Sequence, residues 1–350
     1  MQQADFYKKL ADSMVACLLC HHFCVIGDGQ TGTCRARKNT GGKLFSLVYG
    51  YPVALNVDPI EKKPLFHFQP GSLSYSIGTL GCNFKCLNCQ NWDISQAIDI
   101  TPLTPPASSA GGLVRGENLS LIEPEKIVSE ALANDCLSIS YTYNEPTIFA
   151  EYALDIMKLA HATGLKNVWV SNGYLSEQCL EAITPYLDAI NVDLKSMDAD
   201  FYKTNCGARL EPVLKNLITI KKSSAHLEIT TLIIPNLSAD LAMLKQLAEF
   251  IVNQLGADAP WHLSRFSPEI SWKLKKSPAT PEAVIFQAYE IAKTAGLKYV
   301  YLGNLPGDER ENTYCPACGE LAIRRFGYEI ARLDHHGRCA HCDKNLDIFE

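Results

Sequence analysis

The chain has 350 residues, 47% of them hydrophobic, and a formal net charge of −6. That length supports a large core in one big domain with appendages, or in two to three domains. The acidic balance, with no basic tract, gives no electrostatic reason to expect nucleic acid or an anionic membrane as partner. The opening "MQQADFYKKLADSMVACLLC" carries charges where a signal peptide needs its apolar core, and no later run suits a bilayer span, so a cytoplasmic location is expected.

Residues 1–70 read as an N-terminal, cysteine-rich extension with short strands. Cys17, Cys20, Cys24 and Cys34 are spaced C-x2-C-x3-C-x9-C, and the Gly- and Pro-punctuated runs "KLFSLVYGYPVALNVDP" and "KKPLFHF" follow. In a reducing compartment, the 14 cysteines read as metal ligands or redox groups rather than a disulfide scaffold. Four thiolates suit zinc or an auxiliary iron-sulfur cluster, with His21 or His22 as substitute ligands. Spacing does not choose between these metals; zinc is the simpler reading because nothing else in the segment demands redox chemistry.

Residues 71–305 repeat a short apolar, β-branched run, a polar turn and a stretch of helical periodicity. The predicted strands are "SYSIGTL", "LSISYTY", "NVWVSN", "AINVDL", "LEITTLII", "WHLSRF" and "KYVYLG", with helices such as "EPEKIVSEALAND" and "ADLAMLKQLAEFIVNQLG" between them. About six βα units, with runs apolar enough to be covered on both faces, call for a parallel sheet: a full or partial (β/α) barrel, or a doubly wound open sheet. In a barrel the chemistry sits at the C-terminal ends of the strands. The run "DITPLTPPASSAGGLVRGENLS" at 99–120 reads as an extended loop, either a lid or a surface insertion.

Directly after the first of these strands, "GCNFKCLNCQNW" sets Cys82, Cys86 and Cys89 in a C-x3-C-x2-C array. Steps of four and three also suit one face of a buried helix, but Gly81, Asn83, Lys85 and Asn88 suit a loop wrapped around a ligand. A four-iron cluster normally takes four cysteines, so three leave one iron open to another molecule. Further along, strand alternation in "NVDLKS" sends Asn191, Asp193 and Lys195 to one side and Val192 and Leu194 to the other; a buried carboxylate and ammonium must be paired or ligand-bound. His262 and Arg265 in "WHLSRF" face opposite ways, and His262 suits substrate contact and a structural histidine equally. Cys136, Cys179 and Cys206 stand alone and are assigned no function.

Residues 306–350 form a separate small unit with Cys315, Cys318, Cys339 and Cys342 spaced C-x2-C-x20-C-x2-C. Two such knuckles aim four sulfurs at one ion, as in a zinc ribbon or a rubredoxin-like iron site; structural zinc is the expected metal. His335, His336 and His341 are spare ligands at best.

Taken together, "DPIEKKPLFHF", "GCNFKCLNCQNWDISQ", "YTYNEPT", "VDLKS", "PWHLSRFSP" and "NTYCPACGE" resemble, over almost the whole chain, the radical S-adenosylmethionine (SAM) enzyme of the AmmeMemoRadiSam system, a relative of pyruvate formate-lyase activating enzymes. The resemblance implies a partial (β/α)6-type TIM barrel and an activating-enzyme-like oxidoreductase. It further implies a 4Fe-4S cluster on Cys82, Cys86 and Cys89 that chelates SAM and cleaves it reductively to a 5'-deoxyadenosyl radical. That radical takes hydrogen from an unidentified substrate, a protein or peptide among the candidates.

The same resemblance implies contacts to SAM from Tyr143, Asn144, Glu145 and Pro146, whose backbone and carboxylate would bind its amino group. It places Asn172, Asp193 and Lys195 beside SAM and, loosely, Asn236 near adenine. An ordinary helix start at Glu145 and a structural salt bridge between Asp193 and Lys195 compete with these roles. Asn88 stands where an aromatic residue is common, leaving Phe84 and Trp92 as apolar surface. An electron donor such as flavodoxin or ferredoxin and Memo-like and Ammecr-like partner proteins are implied as well.

Two alternatives stay open. A glycyl-radical enzyme activase of the shorter branch fits, because no cysteine of a ferredoxin-like insert falls between Cys89 and Cys136. A non-catalytic zinc-binding interaction protein is the alternative of another class, but it leaves a three-ligand site unexplained.

Overall fold

The computed structural model describes residues 1–97, 100 and 121–350, so the loop expected at 99–120 lies, but for Ile100, outside the described residues. An eight-stranded sheet forms the centre: β1 (Ala54–Pro59), β2 (Leu73–Gly78), β3 (Ser138–Tyr141), β4 (Lys166–Ser171), β5 (Ala189–Asp193), β6 (His226–Ile233), β7 (Trp261–Arg265) and β8 (Val300–Gly303). The strands lie side by side in chain order. β1 runs antiparallel to β2, and every later pairing is parallel.

Among the described residues, six helices of seven residues or more cross between the parallel strands: α1 (Pro124–Ala133), α2 (Ala150–Thr163), α3 (Glu177–Ile183), α4 (Glu211–Lys221), α5 (Leu241–Phe250) and α6 (Glu282–Thr294). Local chemistry sets their ends. The Ser176 side chain accepts from Cys179 N–H to start α3, Asp240 accepts from Met243 N–H to start α5, and Gly164 closes α2 with φ 86°. Consecutive parallel strands joined by right-handed crossovers put all six helices on the same face of the sheet.

The two faces of the sheet therefore differ. Ile77, Ile139, Trp169, Ile190, Ile229 and Leu263 join helix residues such as Ile127, Ile156, Leu217 and Leu247 in one apolar core. The alternate positions, among them Ser74, Ser140, Asn191, Glu228, Thr230 and His262, are also buried but polar. Runs apolar on both faces were expected; the helix-covered face is the more apolar, with Asn167 and Thr231 as buried exceptions, and the other face mixes these polar positions with Val168 and Ala189.

The loop after β1 covers that polar face. Ile60, Leu65 and Phe68 pack there on Val168 and Ala189. The stretch "KKPLFHF", expected as a strand, is not one. The Phe66 and His67 N–H groups, which a ladder would need, donate to the two carboxylate oxygens of Glu228 at 3.0 and 2.7 Å. The same carboxylate meets His226 Nε2 at 2.9 Å and His262 Nε2 at 2.6 Å. Burial opposes its charge, yet these imidazole bonds hold Glu228 well below the usual carboxylate range.

Residues 306–350 carry a three-stranded antiparallel sheet, β9 (Thr313–Tyr314), β10 (Leu321–Phe326) and β11 (Glu329–Arg332). It is fastened beneath the same loop. Arg325 Nη2 donates to Phe66 O at 2.8 Å and its guanidinium sits 4.2 Å over the Phe66 ring, while Phe349 N–H donates to His67 O at 2.8 Å. At the other end of the chain, two small three-stranded sheets occupy residues 2–46, and β1, within the first 70 residues, is the edge of the main sheet. No described helix is long and apolar enough to cross a membrane.

One pH effect follows from this floor. Burial drives the His67 imidazole down from 6.5 to about 3. Between those values the unfolded chain binds a proton that the folded chain refuses, so stability falls as pH falls, by up to about 1.4 kcal/mol per pH unit. Chemical denaturation from about pH 6.5 to 5 is expected to show a flatter dependence for His67→Gln than for the parent. Equal slopes would assign the acid sensitivity elsewhere.

Candidate active site

The loop leaving β2 carries the three cysteines. It contains no helix before the short turn Trp92–Ser95, so the helical-stripe alternative does not hold. Gly81, with φ 93°, lets it approach the N-terminal segment: a Cβ there would lie 2.5 Å from the carbonyl oxygen of Cys34. The loop is then pinned on several sides. Asn144 accepts from Thr79 N–H at 3.0 Å and donates to Gly81 O at 2.7 Å, and Asn91 donates to Tyr143 O at 2.7 Å. Lys85 and Leu87 N–H donate to Cys206 O at 2.8 Å and Asn205 O at 3.0 Å, and Trp272 N–H donates to Cys89 O at 3.0 Å.

These bonds use backbone and amide groups, while Cys82 Sγ accepts from Phe84 N–H at 3.4 Å and Cys89 Sγ meets Ser95 Oγ at 3.2 Å. Cys86 is buried and Cys82 and Cys89 are half-buried. Burial pushes the Cys82 thiol far up and Cys89 up to about 11, and a hydrogen bond with Cys206, together with burial, raises Cys86. Such thiols ionise only beside positive charge. Lys195 supplies part of it: burial opposes its charge, but Asp193, Cys86 and Cys206 hold the ammonium well above the usual lysine range. The Asn83 Nδ2 and Asn205 Oδ1 atoms beside the loop are buried without a partner. A three-thiol set with a partly buried cation and unsatisfied polar atoms fits an iron-sulfur cluster with a polar molecule on its open iron.

The residues expected around SAM converge on this loop in different ways. Lys195 Nζ is 2.7 Å from Asp193 Oδ2, so the salt bridge is present, and Asp193 keeps 39% of its side chain exposed. Asn172 Nδ2 donates to Asn83 Oδ1 at 2.8 Å, tying the end of β4 to the cysteine loop. Tyr143 takes a left-handed φ of 71° and turns its hydroxyl to Asp58 Oδ2 at 2.5 Å, where Lys63 also binds at 2.6 Å.

Glu145 caps the short turn Pro146–Phe149 as the helix-start alternative has it. Its Oε1 accepts from Thr147 N, Thr147 Oγ1 and Ser171 Oγ at 3.2, 2.5 and 2.9 Å and its Oε2 from Asn172 N at 2.7 Å, which leaves one acceptor site on Oε2. Asn236, at φ 62°, is exposed in a turn.

Three expectations change. Phe84 is 1% exposed and packs on Tyr174 and Tyr202, so it offers no surface to a ligand; Trp92, 39% exposed, does. His262 is bound to Glu228 in the floor, which makes it structural, and Arg265 turns away to Thr280 O at 2.8 Å. Cys206, assigned no function from its isolation in sequence, lies against Cys86. Nothing in its local sequence signals this, because the two are 120 positions apart.

Comparison with known proteins gives the same centre a family. The family model of the Radical SAM superfamily matches residues 76–251, which contain the whole loop and strands β3 to β6. The chain belongs to the radical SAM superfamily. It is 42% identical over 351 aligned positions, 99% of each chain, to an uncharacterized protein of Methanocaldococcus jannaschii. It is also 25% identical over 118 residues, about a third of each chain, to the (2S)-3-sulfopropanediol dehydratase activating enzyme of Klebsiella oxytoca. A solved domain of pyruvate-formate lyase-activating enzyme from Bacteroides vulgatus is 22% identical with a TM-score of 0.42, covering 48% of this chain and 99% of that one. Radical SAM membership implies a 4Fe-4S cluster and SAM.

The other two cysteine groups differ from each other. The sulfurs of Cys315, Cys318, Cys339 and Cys342 all lie within 4.8 Å of one another, with Cys315 to Cys342 and Cys318 to Cys339 at 3.6 Å, and are placed to hold one metal ion. Among the described residues this is the only such group, so no three of Cys17, Cys20, Cys24 and Cys34 lie within 4.8 Å of one another.

The pins on the radical SAM loop are testable. Asn144→Ala removes a buried amide that satisfies two backbone groups and is expected to cost about 2 kcal/mol. Because those groups flank Cys82, iron should be lost to a chelator faster than from the parent. Unchanged release kinetics would mean that Asn144 stabilises the fold without holding the loop.

Proposed function

We propose that the protein is the radical SAM enzyme of an AmmeMemoRadiSam system, built as a partial (β/α)6-type barrel with the divisions 1–70, 71–305 and 306–350. The observation that carries the reading is a three-thiol loop at the C-terminal end of β2, with Lys195 beside Cys86 and Asn172 bound to Asn83. Bound there, a reduced 4Fe-4S cluster and SAM supply a 5'-deoxyadenosyl radical that abstracts hydrogen from substrate. The chain's own residues hold and orient.

Cys82, Cys86 and Cys89 bind three irons. Backbone groups of Tyr143, Asn144 and Glu145, with the remaining acceptor site on Glu145 Oε2, take the ammonium of SAM. Asp193, 39% exposed, and Lys195 are the charged pair facing its polar groups. The polar strand face and the floor of Phe66 to Phe68 keep bulk water from entering below. The C-terminal four cysteines hold structural zinc.

Electrons come from a flavodoxin- or ferredoxin-type donor, and Memo-like and Ammecr-like proteins act alongside in the cytoplasm. The aligned 118 residues shared with a dehydratase activating enzyme favour a second reading, in which the radical is passed to a glycyl residue of a partner enzyme. Anaerobically reconstituted, reduced protein is expected to convert SAM to 5'-deoxyadenosine. No product under strong reduction, with Memo-like and Ammecr-like proteins present, would sink the proposal. Deuterium transferred from a labelled candidate would identify the substrate, and a protein glycyl radical signal would select the second reading.

A further inference from the structure

We propose that Cys17, Cys20, Cys24 and Cys34 hold a second iron-sulfur cluster, and not the zinc that their spacing first suggests. The molecule contains its own comparison. Four thiolates on one zinc, each about 2.3 Å from the metal, must stand about 3.8 Å apart. The C-terminal four meet that condition, with pairs at 3.6 Å and every separation under 4.8 Å.

The N-terminal four do not, since no three of them share a 4.8 Å neighbourhood. They are nonetheless one group: each of the six thiol pairs among them interacts electrostatically. Cys82, Cys86 and Cys89, whose cluster follows from the family, likewise exceed 4.8 Å as a set. A wider but mutual spacing is what a cluster requires, because each thiolate binds a different iron.

A second observation concerns charge. Arg37 is buried beside Cys17 and Cys34. Its Nη2 pairs with Glu151, but its Nε and Nη1 are buried without a partner. A guanidinium with two idle donors next to the thiols is suited to the anionic sulfurs of a metal-thiolate centre.

The group also adjoins the radical SAM loop. Cys34 O would touch a Cβ on Gly81, the residue before Cys82, and His22 Nε2 lies 2.7 Å from Asn83 O. With all four irons bound by cysteine, this cluster has no open site for SAM. It is a second redox centre packed against the first.

Metal analysis of the anaerobically reconstituted full chain tests this. The parent should hold roughly eight irons and the Cys82→Ser/Cys86→Ser/Cys89→Ser variant roughly four, with matching sulfide. Each should carry one zinc, and that zinc, with the circular dichroism spectrum, reports that the variant has folded. The iron left in the variant should give a reduced-state EPR signal that SAM does not alter. The reciprocal Cys17→Ser/Cys34→Ser variant should keep the signal that SAM does alter.

A loop variant with no iron and a second zinc would overturn the inference while leaving the proposed function intact. A parent that takes up only the N-terminal iron would overturn the function and leave the inference standing. A parent with zinc alone would overturn both.

Discussion

Replacing Cys86 by serine is expected to remove the SAM-binding cluster, lowering iron by roughly four per chain and abolishing 5'-deoxyadenosine formation. The hydroxyl is a harder, weaker ligand for iron than a thiolate, so the loss is chemical and not steric. The fold should survive, because the bonds that dock the loop, from Lys85 and Leu87 N–H to Cys206 and Asn205 O, are backbone bonds that the substitution leaves in place. Cys206 adds a refinement, because its thiol lies beside Cys86 and is the nearest candidate to replace the lost ligand. Residual iron in the single variant that disappears in Cys86→Ser/Cys206→Ser would reveal that substitution. Full iron and full activity in the double variant would refute the assignment of Cys86.

Replacing Glu228 by alanine is expected to have the largest effect on stability, although Glu228 touches no proposed ligand. Four donors meet this carboxylate: the Phe66 and His67 N–H groups and the His226 and His262 rings. Removal takes the acceptor from all four in a buried site, where each orphaned group costs about 1 to 3 kcal/mol. Even a partial sum rivals the whole stability of an average domain, roughly 5 to 15 kcal/mol. The denaturation midpoint should collapse, and Glu228→Gln, which keeps an acceptor but turns donors toward donors, should fall between. A loss below about 1 kcal/mol in Glu228→Ala would show that the floor closes without this residue.

How far these features could be read in the chain depends on the range of the interaction involved. Each of the seven quoted strand runs overlaps a strand of the sheet, because period-two patterning and the Gly and Pro turns act within a few residues. The cysteine loop was legible for a chemical reason, since its spacing suits few ligands. "KKPLFHF" was misread as a strand because its N–H groups bond to Glu228, 161 and 162 positions away. Glu145 looked like a free acceptor until Ser171 and Asn172 arrived from the next strand. The same holds for Phe84, buried by Tyr174 and Tyr202, and for Cys206 against Cys86. In each of these cases the deciding neighbour is dozens of residues away or more.

The floor beneath the polar strand face also fixes an order of events during synthesis. Its last fastenings, Phe349 N–H to His67 O and Leu346 O to the His67 ring, come from residues made well after β8. A nascent chain can therefore pair all eight strands and seat the floor on Glu228 before these two bonds form. The C-terminal cysteine unit comes last and adds a second layer of fastening to a floor already in place.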